Sequence, residues 1–446
     1  MTPSPALSPT VPSSRRNLFT LPDGRRVGGT FALVSSLFLL WGFCNGMIDV
    51  MDKHFQDELH LTLAQSAWVQ FAHYLGYFLM ALPAGWVATR FGYKGGIIAG
   101  LLLVAAGGFW FIPATQIAEF WAFLLGVCVI AAGLTFLETV ANPYTTVLGD
   151  KSLAATRINL AQSCNGIGWM LGPLAGRMFF YSTDASGQST GAETLWIPYA
   201  AVGVVVLVLA GLFFLAPMPD VIAEESTRDG EEAPTGSVWR QAHFSGAVIA
   251  QFFYVAAQTG IFSFFINYMT SQSPALPGDS DSWLARHLTT VGADGLRHIS
   301  DAGAASLASA AFFFFLVGRF SGTALLRRYS AARLLALYGV VNVALCIVVM
   351  CRLGWISVAA VFLTYLFMSI MFPTIFALGV HGLGVRAKRG AAYIVMAIMG
   401  GAIVPKVMGA VGDARGMSSA FVIPLLCFAV VATYGMAWKR LVKHAS

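Results

Sequence analysis

The sequence predicts an all-α membrane protein of twelve transmembrane helices in two six-helix halves. Three observations carry this: an apolar excess, about twelve separate apolar runs of spanning length, and one long charged interruption dividing them evenly. Of 446 residues, 57% are hydrophobic and 11% charged, and the mean hydropathy is +0.71. A soluble chain of this length needs far more polar surface, whereas a bilayer-crossing helix needs ~20 apolar residues.

The spans follow in order from the apolar runs and the breaks between them. Met1 to Gly29, rich in Pro and Ser and carrying Arg15, Arg16, Arg25 and Arg26, reads as a disordered tail. Its paired arginines do not make a twin-arginine signal, because the following run is too long and no small-residue cleavage site follows. The first span is Phe31 to Met51, ended by the polar loop Asp52 to Leu63, and the second is Gln65 to Ala88. After the short basic turn Gly85 to Lys94 come Gly95 to Pro113, Glu119 to Tyr144, Asn159 to Tyr181 and Trp196 to Ala216. Gly168, Gly172 and Gly176 clear one face of the fifth span for close backbone packing.

Pro217 to Arg240, which holds Glu224, Glu225, Arg228, Asp229, Glu231 and Glu232, reads as a solvated linker. The second half then runs His243 to Met269, Ala302 to Leu325, Leu334 to Met350, Ile356 to Gly379, Ala391 to Val411 and Ser418 to Trp438, with Ser271 to Ser300 as a large external loop. The expected division is therefore a tail at 1–29, halves at 30–216 and 243–438, a linker at 217–242 and a tail at 439–446.

The net charge of +6 does not point to nucleic acid, because the basic residues lie between apolar runs and form no amphipathic face. With both termini in the cytoplasm, the basic residues of the short loops gather on that side, leaving Lys53, Arg286, Arg297, Arg352 and Arg415 outside. This is the bias that orients an inner-membrane protein. Cys44, Cys128, Cys164, Cys346, Cys351 and Cys427 have no disulfide or metal-ligand spacing and read as small hydrophobes. No cofactor, metal or catalytic motif is expected, so an enzyme is not.

Two acids stand where hydropathy predicts lipid: Asp49 at the end of the first apolar run and Glu138 within the fourth. An ionisable group at that depth costs ~2.5 kcal/mol or more, so it faces a watery cavity, finds a partner or takes up a proton. The halves also echo each other. Gly85 precedes Arg90 by five residues and Gly322 precedes Arg327 by five; Pro143 precedes Gly149 by six and Pro373 precedes Gly379 by six. A duplicated six-helix unit is the architecture in which a solute binds at midplane between rocking halves.

With those residues in hand, the chain resembles the major facilitator superfamily, and within it the fucose/glucose-galactose permease family of sugar:proton symporters. The turn Gly85 to Lys94 is similar to the superfamily's signature between spans 2 and 3, with Thr89 where an acid is usual. More specific are Leu137-Glu138-Thr139-Val140-Ala141-Asn142-Pro143, Asn159-Leu160-Ala161-Gln162 with Asn165, Phe372-Pro373-Thr374-Ile375-Phe376, and Gly400-Gly401-Ala402-Ile403-Val404. The resemblance implies a proton-coupled monosaccharide importer, with the proton as coupling ion and no cofactor, working as a monomer in the bilayer. It implies that Asp49 and Glu138 carry proton coupling. Gly85, Arg90, Gly92 and Lys94, with Arg319 and Arg327 at the matching turn of the second half, are then the gating residues. Asn45 keeps part of the family's Asn-rich run, whereas Ile48 and Pro405-Lys406 depart from its pattern.

Sugar hydroxyls both donate and accept, so amide side chains suit them, with rings over the C–H faces. The candidates at cavity depth are Asn45, Asn142, Gln162, Asn165, Gln258 and Asn267, with Glu138 as a further acceptor. Gln70, Tyr74, Tyr77, Tyr254, Phe262 and Tyr365 are rings or extra donors. Each amide has an alternative reading as interhelical glue. His73 is either a proton relay or a satisfied core residue, and Lys406 either snorkels or faces the cavity, as a counter-ion to Asp49 or as a contact to a charged sugar. Arg177 is expected to snorkel. The alternatives to sugar import are export or transport of another small polar metabolite, and a non-transporting membrane sugar sensor.

Overall fold

Long apolar runs give long helices, some of which continue through an internal proline (Pro83, Pro113, Pro143, Pro173), and the described residues of a computed structural model of the chain are helical almost throughout. The structure describes residues 18–21, 24–149, 154–181, 194–218, 237–326, 328–383 and 387–443. The first half contains α1 (Gly28–Glu58), α2 (Leu63–Ser66), α3 (Trp68–Ile117), α4 (Phe120–Val147), α5 (Ala154–Phe179) and α6 (Trp196–Leu215). The second contains α7 (Ala242–Ser263), α8 (Phe265–Gln272), α9 (Trp283–Leu288), α10 (Asp301–Leu326), α11 (Ala331–Met350), α12 (Trp355–Met368), α13 (Met371–Val380), α14 (Ala387–Met396), α15 (Gly400–Arg415), α16 (Met417–Ala420) and α17 (Val422–Lys443).

Among the described residues, ten helices are long and apolar enough to cross a membrane. The other two expected spans are the first arm of α3 and α5. Both are helical, but they carry Gln70, His73, Gln162 and Asn165, which lower their hydropathy. The second and third spans are joined end to end as α3, broken at Gly92, whose φ of 70° suits glycine and strains other residues. Three spans of the second half are interrupted near midspan: at Phe264 between α7 and α8, at Ser369 and Ile370 between α12 and α13, and at the 3₁₀ turn Ala397–Met399 before α15. The second break lies four residues before Pro373, where the proline ring excludes the carbonyl of the turn before it.

Two expectations at the start of the chain are corrected. Residues 18–27 are not all loose: Leu21 and Val27 are buried, and Val27 N–H donates to Phe19 O at 2.9 Å. The first span does not stop at Met51, since α1 runs on to Glu58 through the residues read as a polar loop. Asp52, His54 and Gln56 are buried against other helices, and Lys53 pairs with Asp57 one turn on. The linker expected at 217–242 lies mostly outside the described residues. The external loop at 271–300 holds α9 and an antiparallel hairpin of β1 (Thr289–Val291) and β2 (Arg297–Ile299). At its turn, His298 Nε2 lies 2.8 Å from Asp294 Oδ2, and this contact holds the Asp294 carboxyl below its ordinary value.

The glycines of α5 set the position of α1. A Cβ on Gly168 would lie 2.2 Å from Leu39 O, and one on Gly42 would lie 2.0 Å from Asn165 O, so each helix needs the other's glycine. Backbones that close leave the side chains beside the seam little freedom, which fixes the direction of Asn45 and Asp49.

We call the end of the bundle where α1 finishes and α10 begins the distal end. Cross-half links fall from midspan to this end. Tyr74 Oη lies 2.8 Å from Thr259 Oγ1, Ser309 Oγ donates to Met170 O at 2.5 Å, and Arg177 Nη1 donates to Ser306 Oγ at 2.7 Å. Lys53 lies 3.6 Å from Asp301, and the Asp413 carboxylate accepts from Leu63 N–H and Ala64 N–H at 2.9 and 3.0 Å.

Candidate functional site between the two halves

The site is built from two facing polar stripes. On α1, Asn45, Asp49, Asp52 and Gln56 recur at four, three and four residues, which keeps them on one face of a helix. On α3, Gln70, His73, Tyr74 and Tyr77 do the same. An isolated polar side chain here would lose its water without replacement, and the stripes meet so that most find each other. Gln70 Nε2 donates to Asp49 Oδ1 at 3.0 Å and to Asp52 Oδ2 at 3.2 Å. Trp41 Nε1 donates to Tyr77 Oη at 2.6 Å. Gln56 binds Asn267 from the other half through its oxygen and Ser66 through its nitrogen, the latter at 2.8 Å.

Glu138 is different. It makes no hydrogen bond or ion pair with the described residues and lies half-buried in a narrow crevice lined by Leu37, Phe38, Trp41, Leu137 and Ala141. Tyr74 touches Thr259 across the seam and lies within electrostatic reach of both Asp49 and Glu138. Tyr365, in the second half, lies within electrostatic reach of Asp49 and stacks on Phe262, with ring centroids 4.6 Å apart.

The expected amides separate by location. Gln162 Nε2 donates to Asn142 Oδ1 at 3.2 Å, a half-buried pair one turn beyond Glu138. Gln258 is half-buried and makes no hydrogen bond with the described residues, so its amide is available. Asn45 is 8% exposed with its Oδ1 unpartnered. Asn165 spends its amide on Phe38 O at 3.2 Å, across the α1–α5 seam. Asn267 lies with Gln56 toward the distal end, apart from Glu138.

The expected gating residues keep to their own halves. Arg90 lies over Trp86 and Phe91, at 5.5 and 6.0 Å from the ring centroids, and Lys94 donates to Ala216 O at 3.1 Å. A Cβ on Gly85 would meet nothing within 4 Å. Arg319 lies over the Phe315 ring at 5.1 Å with its Nε unpartnered, and Arg327 lies outside the described residues. His73 packs among the Tyr74 and Tyr77 rings with Nδ1 unpartnered. Lys406 is exposed and sits over the Trp68 ring at 4.0 Å, which answers the open question against a counter-ion to Asp49. Arg177 does not snorkel but bonds Ser306 across the halves.

Sequence reasoning missed Asp52, which is fully buried, because it was assigned to a loop. The signal was there: no Gly or Pro interrupts Asp52 to His60, and the next helix-capping residue is Thr62, which closes a capping box with Gln65. It also missed Asp413, whose carboxylate joins the halves.

The fold is shared with known proteins. The Major Facilitator Superfamily model matches residues 31–400. The chain is 36% identical over 421 residues to the L-fucose-proton symporter of Escherichia coli K12, covering 90% of this chain and 91% of that protein. It is 35% identical over 412 residues to a glucose/galactose transporter of Brucella abortus, covering 91% and 93%. Its backbone resembles the crystal structure of the superfamily transporter FucP in the outward conformation, with a TM-score of 0.65 at 34% identity over 92% of this chain and 98% of that one. The chain belongs to the Major Facilitator Superfamily.

Proposed function

We propose that the protein is a proton-coupled monosaccharide importer of the fucose, glucose, galactose and N-acetylglucosamine class, working by alternating access. Relatives named L-fucose-proton symporter and glucose/galactose transporter match it along nearly its whole length. The observation that carries the reading within this chain is Glu138, a carboxyl in a spanning helix that has no hydrogen bond or ion pair among the described residues and lines a narrow crevice. Such a group persists in a bilayer protein when a proton or a solute hydroxyl completes it.

In this reading Glu138 and Asp49 hold the coupling proton while sugar is bound. Asn142, Gln162, Gln258 and Asn45 supply amide contacts, and the Phe262 and Tyr365 rings lie against the apolar face of the sugar. Asn165 and Asn267 position helices and are further from the sugar. The halves at 30–216 and 243–438 rock about this site, with Gly85, Arg90, Gly92, Lys94, Arg319 and Arg327 at the turns that move. The distal end, held by Asp413, Lys53 and Arg177, corresponds to a state closed on that side. The basic loops support a cytoplasmic position for both termini in the inner membrane, and the site needs no second copy.

The test is sugar-dependent proton uptake by proteoliposomes of the purified protein. Fucose, glucose, galactose, mannose and N-acetylglucosamine are added in turn. At least one should draw protons inward with itself; sugar uptake with no proton movement, or no uptake of any of the five, counts against symport.

A further inference from the structure

Glu138 and Asp49 do not exhaust the buried acids. Asp52 is 0% exposed and Asp49 7%, three residues apart on one face of α1, and the two carboxylates draw on a single Gln70 nitrogen. Asp49 Oδ2 and Asp52 Oδ1 are left without a partner. From the second half, the fully buried Ser263 hydroxyl faces Asp52 without closing a hydrogen bond to it.

Among the described residues, the groups around the pair offer no positive charge. Lys53, on the same helix, is turned to Asp57 and Asp301, and His54 stacks on Phe180. Gln70 and Tyr74 on α3, Tyr181 after α5, Tyr199 on α6, Ser263 on α7 and Tyr365 on α12 are neutral. Two bare anions cannot share a dry site without a cation. The two carboxyls therefore hold at least one proton between them while the halves are closed.

Resting on the symport reading above, we propose that Asp52 is a further proton-coupling residue. Asp49 and Asp52 share one proton in the closed state, and the parting of the halves at Ser263 wets the pair and lets that proton exchange with the distal solution. In the exchange a hydronium of that solution protonates one carboxylate oxygen, and the reverse step returns the proton to water. Coupling then depends on the pair and not on Asp49 alone.

The pair has a titration signature that a structural Asp52 lacks. Asp52→Asn removes the neighbouring negative charge, so the remaining Asp49 gives up its proton at lower pH. Ser263→Ala removes a hydroxyl that favours the charged pair, so the proton is kept to higher pH. Proteoliposomes of wild type and both variants are assayed for proton uptake driven by L-fucose, glucose and galactose across a pH series. The pH at half-maximal uptake should fall by roughly one unit or more in Asp52→Asn and rise in Ser263→Ala. An unchanged or raised midpoint in Asp52→Asn, with the wild type still coupling, overturns the role of Asp52 and leaves symport standing. A wild type that carries these sugars without protons overturns both. If Asp52→Asn does not reach the membrane, Ser263→Ala decides: a raised midpoint supports the pair, an unchanged one overturns it.

Discussion

A carboxyl group within a spanning helix is judged by its company. Glu138 has none among the described residues, Asp49 and Asp52 share one amide, and Asp413 caps two backbone N–H groups at the distal seam. Lys406 shows the opposite case, an exposed ammonium resting on Trp68. An exposed cation–π contact is worth about 0.5–1 kcal/mol. Lys406→Gln should therefore lower thermal stability only slightly and leave sugar uptake within about twofold of wild type; a tenfold loss of uptake would return Lys406 to the cavity. Asp49 and Glu138, which stand at the end of one apolar run and within another, were legible as functional candidates because lipid depth is readable from hydropathy. Asp52 was not, because the same hydropathy falls where a helix continues on polar side chains satisfied from other helices.

At the scale of elements, two seams decide the geometry. The α1–α5 seam depends on Gly42, Gly46, Gly168 and Gly172, and the spacing in α5 announced close packing but not its partner. A Cβ on Gly168 meets the Leu39 carbonyl, a backbone atom that no rotamer change can remove. Gly168→Val should destabilise the protein by about 1–3 kcal/mol or more, seen as loss of monodisperse protein in detergent and a lower melting temperature, whereas Gly85→Ala, with open space around it, should not. The distal seam depends on Asp413. Its carboxylate accepts two backbone hydrogen bonds from the other half, and the amide of Asp413→Asn, uncharged and with one oxygen, should weaken closure there. Spin labels at His60 and Ser419 should report a broader or longer distance distribution in the variant, and an unaltered distribution would deny Asp413 that role. The helix breaks at Phe264, Ser369 and Ala397 were invisible to a hydropathy window, because an interrupted span has the same composition as a straight one.

At the scale of the molecule, the sequence disclosed a duplicated twelve-span bundle because membranes impose a length on every helix. It could not disclose how the halves meet, which depends on side chains far apart in the chain: Asp413 with Leu63, Arg177 with Ser306, Tyr74 with Thr259. Those links make the central site a junction of both halves, and in the proposed mechanism its acids are alternately sealed and wetted as the halves rock. Proton binding and the choice of open side are then one equilibrium, which is what ties a proton gradient to solute accumulation. The most direct measurement of that claim separates exchange from coupling in Glu138→Gln. An amide at this position keeps the shape of the side chain and cannot discharge a proton. Sugar counterflow should persist while accumulation against a gradient falls at least tenfold; accumulation undiminished in Glu138→Gln would contradict the account.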